Sequence, residues 1–151
     1  ALADGLEALQ HQEVGRVVVS PDQVISSEIK EPLKPVIRVA GPEDLAIARA
    51  AVDQLRVEQP VLEYIVSLVR ATRDSPSLSL GVSPRGATAL LHASKAWAWL
   101  SGRDYVTPDE VKAVAAPTLR HRMMVRPELE LEGVTPDGVL DGLLATVPVP
   151  R

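Results

Sequence analysis

From Gly41 onward, prolines divide this sequence into short segments, and five of these prolines stand where a helix can begin. Proline fixes φ near about −65° and lacks an N–H, so the first helical turn tolerates it and the helix interior does not. Apolar residues follow at spacings of three and four, as on the buried face of a helix. The helix starts predicted in this way are Pro42, Pro60, Pro84, Pro108 and Pro136. The pattern therefore predicts a mainly α protein, a compact bundle of short helices.

Two of these segments allow more detailed predictions. The helix after Pro42 is predicted to bury Leu45, Ala48, Val52 and Leu55. Thr107 and Glu110 have the spacing of a capping box, in which each side chain bonds the other residue's backbone N–H. Further on, Pro117 is expected to break or kink the helix, with helical structure resuming from Leu119 to Met124.

The composition excludes several classes of protein. Aromatic residues make up 3% of the chain and Phe is absent, so the core must consist of Leu, Val, Ile and Ala. Without Cys there is no disulfide or thiolate metal site, which favours a cytoplasmic location. The net charge of −4 argues against general nucleic-acid binding. No apolar run approaches the roughly 18 residues of a membrane span. The missing initial Met suggests a piece of a longer protein.

Residues 1–40 have a different character. Leu2, Leu6 and Leu9 have helical spacing, and the run Val17–Val19 predicts a strand. Val36–Val39 could form a second strand or an extended connection. We expect a short mixed α/β segment over residues 1–35, a remnant or edge of another domain, followed by a helical domain over 36–151.

The segment Gly81–Arg85 is the first candidate for a binding site. Ser83 is the candidate N-cap and Pro84 the first helical residue, so Arg85 is held in the first turn on the polar side of its helix. A guanidinium there can bind phosphate, because its paired donors match phosphate oxygens and the helix N-terminus adds positive potential. From the spacing alone, a surface arginine after a helix cap is the commoner explanation.

A second basic group consists of Arg120, His121 and Arg122, with Arg126 nearby. It is either a functional patch at a contact between subunits or favourable charge at a helix C-terminus, and the sequence supports both interpretations equally. The three histidines, His11, His92 and His121, are too far apart in sequence to suggest a metal site. We therefore predict no metal ligands.

Some catalytic motifs are absent from the sequence. None of the nine glycines is followed by Lys, so the chain lacks the Walker A loop that holds nucleotide phosphates. Asp109-Glu110 follows Thr107-Pro108 rather than a buried strand, which indicates a helix start rather than a Walker B end. No Gly-x-Ser-x-Gly elbow is present either. We predict that the chain contains no catalytic residue and cannot hydrolyse ATP alone.

Several short segments, in order, resemble the lid region of MoxR-family AAA+ ATPases. The resemblance covers about residues 36–151 and rests on their order and spacing together. The segments are Tyr64–Val66 with Ala71–Arg73, Gly81–Arg85, Gly102–Pro108, Leu119–Arg122 and the ending Val147–Arg151. Magnesium chelatase ATPase subunits have a similar lid and are the nearest rival family, but the Val-Pro-Val-Pro-Arg ending favours MoxR.

The resemblance implies a function for the candidate residues. In that family the arginine of the Ser-Pro-Arg turn, here Arg85, is the sensor 2 residue that contacts ATP phosphates in the adjoining core. The complete protein would then use ATP and Mg²⁺ within a ring, expected to be a hexamer, and would assist the maturation of partners, often von Willebrand factor A domain proteins. The alternative from another class is a helical protein-interaction or DNA-binding module, with the helices after Pro84 and Pro108 as a loose helix-turn-helix.

Overall fold

A computed structural model describes residues 40–150 of the chain. Contacts group the chain into two units, residues 1–45 and residues 46–151. The helix predicted near Leu2, the strand at Val17–Val19, the element at Val36–Val39 and the boundary after residue 35 all lie outside the described residues. The described residues belong to the range predicted as the helical domain.

This part of the chain is mainly helical, as predicted. Helices begin within two residues of each of the five predicted prolines. Their bounds are α1 Pro42–Gln54, α2 Gln59–Asp74, α3 Pro84–Leu100, α4 Pro108–Leu119, α5 Pro127–Leu131 and α6 Pro136–Thr146. A 3₁₀ turn, Arg120–Arg122, follows α4 directly.

The connections between the described helices contain four short strands, which form two pairs. β1 (Arg56–Val57) pairs in parallel with β3 (Tyr105–Val106). β2 (Leu78–Leu80) pairs antiparallel with β4 (Met124–Val125), with an irregular register between Leu78 and Leu80. The second pair ties the segment before α3 to the segment after α4, so both ends of this helix pair are fixed together.

The core lies among α2, α3, α4 and α6. The fully buried aliphatic side chains Leu68, Leu90, Leu119 and Leu140 come one from each of these helices. On α3 the buried positions recur every four residues and are mostly small: Gly86, Leu90, Ser94 and Ala98. Small side chains let α3 pack closely against α4, and the core contains no Phe or Trp that is fully buried.

The capping box at the start of α4 is confirmed. The hydroxyl of Thr107 accepts a hydrogen bond from the N–H of Asp109, and the Glu110 carboxylate accepts one from the N–H of Thr107 at 2.8 Å. At α6, the Thr135 hydroxyl accepts from the N–H of Gly138 at 3.1 Å. These bonds satisfy N–H groups that the first turn leaves without helical partners.

Three predictions about individual helices differ from the structure in whole or in part. Leu45 is 52% exposed, no residue of α1 is buried, and only Ala48, Ala51 and Val52 are partly covered. Leu55, the residue after this helix, is buried as predicted. Pro117 lies inside α4 without ending it. The carbonyl that its missing N–H would have bound belongs to Ala113, which is exposed, so water can take that bond. Helical structure also does not resume to Met124, which pairs in β4 instead.

Within residues 40–150, no helix combines the length and apolar character needed to cross a membrane.

Candidate functional site

The turn before α3 places Arg85 in the first helical turn. Ser83 occupies the N-cap position with extended backbone, and Pro84 is the first helical residue, as predicted. The Ser83 hydroxyl, however, makes no capping hydrogen bond, and its carbonyl accepts from the N–H of Gly86 at 2.8 Å. The predicted positions are therefore right, but the side chain of Ser83 does not hold the turn.

The side chain that holds this turn is Thr72, near the end of α2. Its buried hydroxyl donates to the carbonyl of Val69 at 2.7 Å and accepts from the N–H of Val82 at 2.9 Å. Thr72 and Val82 are both fully buried, so water cannot replace either bond. The hydroxyl thus ties the Gly81–Arg85 segment to α2 from inside the core.

Gly81 brings the same segment into direct contact with the α2 backbone. A Cβ at this position would lie 2.6 Å from the Cα of Arg73 and 2.7 Å from the carbonyl oxygen of Thr72. Contacts this short do not occur between real atoms, so only glycine fits here without movement of the backbone. The position of Arg85 therefore depends on the close approach at Gly81 and on the hydroxyl of Thr72.

Arg85 itself is exposed and has no hydrogen bond or ion pair with any part of residues 40–150. Its neighbours on the helix surface, Thr88 and His92, are also exposed. The backbone beneath Arg85 is fixed while its guanidinium remains free for a partner. An anion outside these residues could accept hydrogen bonds from it.

The basic group after α4 separates into residues with different surroundings. Arg120 forms an ion pair with Asp137, with Nε and Oδ1 3.1 Å apart, and also donates to the carbonyl of Ala116. Arg122 donates from Nε to the carbonyl of Thr118 at 3.2 Å, whereas His121 is exposed. All three lie at the end of a helix, as predicted for His121 and Arg122. Across residues 40–150, no cluster of three metal-ligating side chains occurs.

A second polar cluster lies at the start of α4. Arg103 approaches the buried Glu110 carboxylate, with Nε and Oε1 3.3 Å apart. Burial alone would raise the pKa of Glu110, but hydrogen bonds from the Thr107 hydroxyl and N–H, together with the charge of Arg103, lower that pKa below its usual value. The cluster links the segment between α3 and α4, which contains Arg103, to the first turn of α4, and we assign it a structural role.

This cluster predicts an acid-dependent loss of stability. Because the pKa of Glu110 is lowered in the folded state, its stabilising effect is present above the pKa of an unfolded glutamate, about 4.3, and is lost as the pH falls below that value. Glu110→Gln should therefore reduce the change in melting temperature between pH 6 and pH 3. Glu128→Gln, which alters an exposed carboxylate, is the control. Identical pH profiles for the wild type and Glu110→Gln would refute the prediction.

Tyr64 on α2 is 2% exposed, and its hydroxyl has no hydrogen-bond partner among the described residues. Burial, and then the negative charge of Asp109, raises the pKa of this hydroxyl. Tyr64 therefore stays neutral at physiological pH and serves as a packing residue.

Replacing Thr72 tests how the turn is held. Thr72→Val keeps the shape of the side chain but leaves the buried N–H of Val82 without a partner. An unsatisfied buried donor costs about 1–3 kcal/mol, so we expect the free energy of unfolding in urea to fall by that amount. Thr72→Ser keeps the hydroxyl and is the matched control. Equal stability of the Val and Ser variants would show that the hydroxyl does not hold the turn.

Comparisons with known proteins agree with this architecture. Residues 70–142 match the model of the AAA lid domain, a range that includes Thr72, Gly81, Arg85 and Arg122. The chain is also 38% identical over 102 residues to Protein MoxR of Paracoccus denitrificans, covering 58% of this chain and 30% of that protein. It is 31% identical over 104 residues to Chaperone MoxR1 of Mycobacterium tuberculosis, covering 63% and 28%. The chain contains the lid region of a MoxR-family AAA+ ATPase.

Two further relatives support the same assignment of this MoxR-type lid. YeaC of Bacillus subtilis, an uncharacterized protein, is 39% identical over 129 residues, covering 85% of this chain and 40% of YeaC. A crystal structure of a candidate ATPase from Cytophaga hutchinsonii superposes with a TM-score of 0.71 at 27% identity, covering 76% of this chain and 37% of that one. The chain thus spans 40% or less of the length of these relatives.

The helix-turn-helix alternative lacks structural support. Residues 101–107 connect α3 to α4 and contain β3, so the connection exceeds the roughly three- to four-residue turn of that motif. The MoxR-type lid accounts for the same helices.

The sequence predicts the position of Arg85 in the first turn of α3, but it does not predict that Thr72 and Gly81 hold that turn. Thr72 lies on the buried face of α2, where a threonine among aliphatic residues indicates a hydrogen bond, but the sequence does not identify the partner. Gly81 stands out in the sequence only as part of a motif, because the α2 backbone that it touches becomes its neighbour only in the folded chain.

Proposed function

We propose that this lid supplies a sensor 2 arginine, Arg85, which binds the phosphates of ATP held by the AAA+ core of the same polypeptide. The observation that carries the proposal is the contrast between the fixed backbone and the free side chain of Arg85. Thr72 and Gly81 anchor the preceding turn, while the guanidinium makes no hydrogen bond or ion pair within residues 40–150. A sensor needs this combination, because rigid placement lowers the entropy lost on binding.

The donors present fit a nucleoside triphosphate. A guanidinium offers paired N–H groups to phosphate oxygens, and the N-terminus of α3, which spans 17 residues, adds a positive field at the same place. ATP and Mg²⁺ would be held by the core, and Arg85 would add a charged contact from the lid. Binding of the phosphates by Arg85 would then link the position of the lid to the state of the nucleotide.

The name of one relative supports a proposal for the cellular role. That relative is named a chaperone, and we propose that the complete protein uses ATP hydrolysis for chaperone-like remodelling or maturation of partners, with von Willebrand factor A domain proteins as candidates. It would act as a cytoplasmic ring, such as a hexamer, in which exposed basic residues such as His121 face a neighbouring subunit.

The test of the proposed role uses the complete ATPase carrying Arg85→Ala. Its nucleotide-dependent activity should fall, whereas Arg49→Ala, which removes an exposed arginine without a partner in residues 40–150, should leave that activity unchanged. Equal activity of the Arg85→Ala protein and the wild type would reject the sensor role.

The chain by itself should not hydrolyse ATP. It lacks a Walker A loop, and phosphoryl transfer depends on such a loop, a metal site and a group that positions water. We expect phosphate release from the purified chain to equal that of a buffer blank. Turnover that co-purifies with the chain through several chromatographic steps would contradict this expectation.

A further inference from the structure

Arg122 reaches the first turn of α3 from the 3₁₀ turn that follows α4. Gly86, the residue after Arg85, is buried, and a Cβ placed on it would overlap Cγ1 of Val82 and lie 3.5 Å from Cδ of Arg122. The aliphatic part of the Arg122 side chain therefore packs beside the backbone that carries Arg85. Glycine is required at residue 86 by Val82, and the Arg122 stem lies next to this position at ordinary van der Waals distance.

The charge of Arg122 is not neutralised by a carboxylate in residues 40–150. Its Nε donates to the carbonyl of Thr118, and its terminal amino groups have no partner in that range. Two other arginines of the same region differ, since Arg103 pairs with Glu110 and Arg120 with Asp137. Arg122 thus resembles Arg85 in having guanidinium donors without a partner in residues 40–150.

Arg85 lies in the first turn of α3, and the stem of Arg122 lies beside that turn, so two cations without a carboxylate partner in residues 40–150 belong to this region. The N-terminus of α3 adds positive potential, which favours binding of an anion with several charges. A triphosphate has enough oxygens to accept hydrogen bonds from two guanidinium groups at once.

We propose that Arg122 is a second phosphate-binding residue of the lid and contacts the same nucleotide as Arg85. The proposal rests on the function proposed for Arg85 and adds to it.

The experiment measures the Kd of the complete ATPase for ATPγS with Mg²⁺, together with its melting temperature. R122M keeps the unbranched apolar stem beside Gly86, R122Q keeps a donor for the Thr118 carbonyl, and both remove the charge. R122K keeps the charge and the stem. We expect the two neutral variants to raise Kd about tenfold, as the loss of a charged hydrogen bond at the lower end of the usual range would, and R122K to stay within about threefold of wild type.

Arg126→Gln is the matched control, because Arg126 is exposed and its Nε donates to the carbonyl of Pro76 in the same way. Its Kd should equal that of the wild type. If one neutral variant fails to fold, the other decides. Unchanged Kd in a folded neutral variant, or equal weakening in R122K and the neutral variants, would overturn the proposal.

The outcomes also separate this proposal from the one on which it rests. Weakened binding in Arg85→Ala with normal binding in the neutral Arg122 variants would leave the sensor role of Arg85 standing and reject the role of Arg122. The reverse result would support Arg122 and reject Arg85 as the sensor.

Discussion

Among the described glycines outside the helices, Gly81 is the one whose replacement by alanine should destabilise this domain most. The new Cβ would lie 2.6 Å from the Cα of Arg73 and 2.7 Å from its backbone N, so the flexible end of a side chain cannot relieve the overlap. Overpacking costs about 1–3 kcal/mol, and we expect the upper end of that range because backbone must move. For a domain of this size, that corresponds to a fall in melting temperature of roughly 10–20 °C.

Gly142→Ala provides the matched control for this prediction. Gly142 lies inside α6, and a Cβ there would meet nothing within 4 Å. Alanine favours helix over glycine by about 1 kcal/mol, so this variant should be slightly more stable than the wild type. Urea denaturation of the chain gives both values. A Gly81→Ala protein as stable as the wild type would show that the segment before α3 is not pressed against α2.

Arg85→Ala should have the largest effect on activity and almost none on folding. Charged hydrogen bonds contribute about 1.5–3 kcal/mol each, so losing one should slow ATP hydrolysis by the complete ATPase about tenfold or more. Because Arg85 is exposed and unpaired within residues 40–150, its truncation opens no cavity, and the free energy of unfolding should change by less than about 0.5 kcal/mol.

Arg85→Lys separates charge from geometry. Lysine keeps the positive charge but cannot offer the planar pair of donors, so its hydrolysis rate should fall between those of the wild type and Arg85→Ala. Arg49→Ala again controls for the loss of an exposed arginine. A large loss of stability in Arg85→Ala would mean that the residue supports the fold and would remove the reason for assigning it to phosphate.

The helix starts were predictable because proline acts locally. Pro84 and Pro108 restrict their own backbone whatever surrounds them, and the capping box of Thr107 and Glu110 closes within four residues. The strands that lie after residue 41 were not predictable. The pair Leu80 and Met124 joins residues far apart in sequence, and two- or three-residue strands have too short a pattern to be detected.

In the candidate site, too, features set by neighbouring residues were predictable and features set by tertiary packing were not. The position of Arg85 followed from residues next to it in sequence. The bond from Val82 to Thr72 and the approach of Arg122 to Gly86 depend on how α2, α3 and α4 pack, which no local pattern contains. The exposure of Leu45 and the uninterrupted helix at Pro117 show the same dependence, because solvent access to a side chain or carbonyl is set by tertiary structure.

The most direct test of the sensor role is the affinity of the complete ATPase for ATPγS with and without the Arg85 side chain. The structure places this guanidinium at a fixed turn with no partner in residues 40–150, so removing it should affect the ligand and little else. We predict that Arg85→Ala raises the Kd about tenfold or more at an unchanged melting temperature. A Kd within twofold of the wild-type value would contradict the proposal that this lid binds the nucleotide through Arg85.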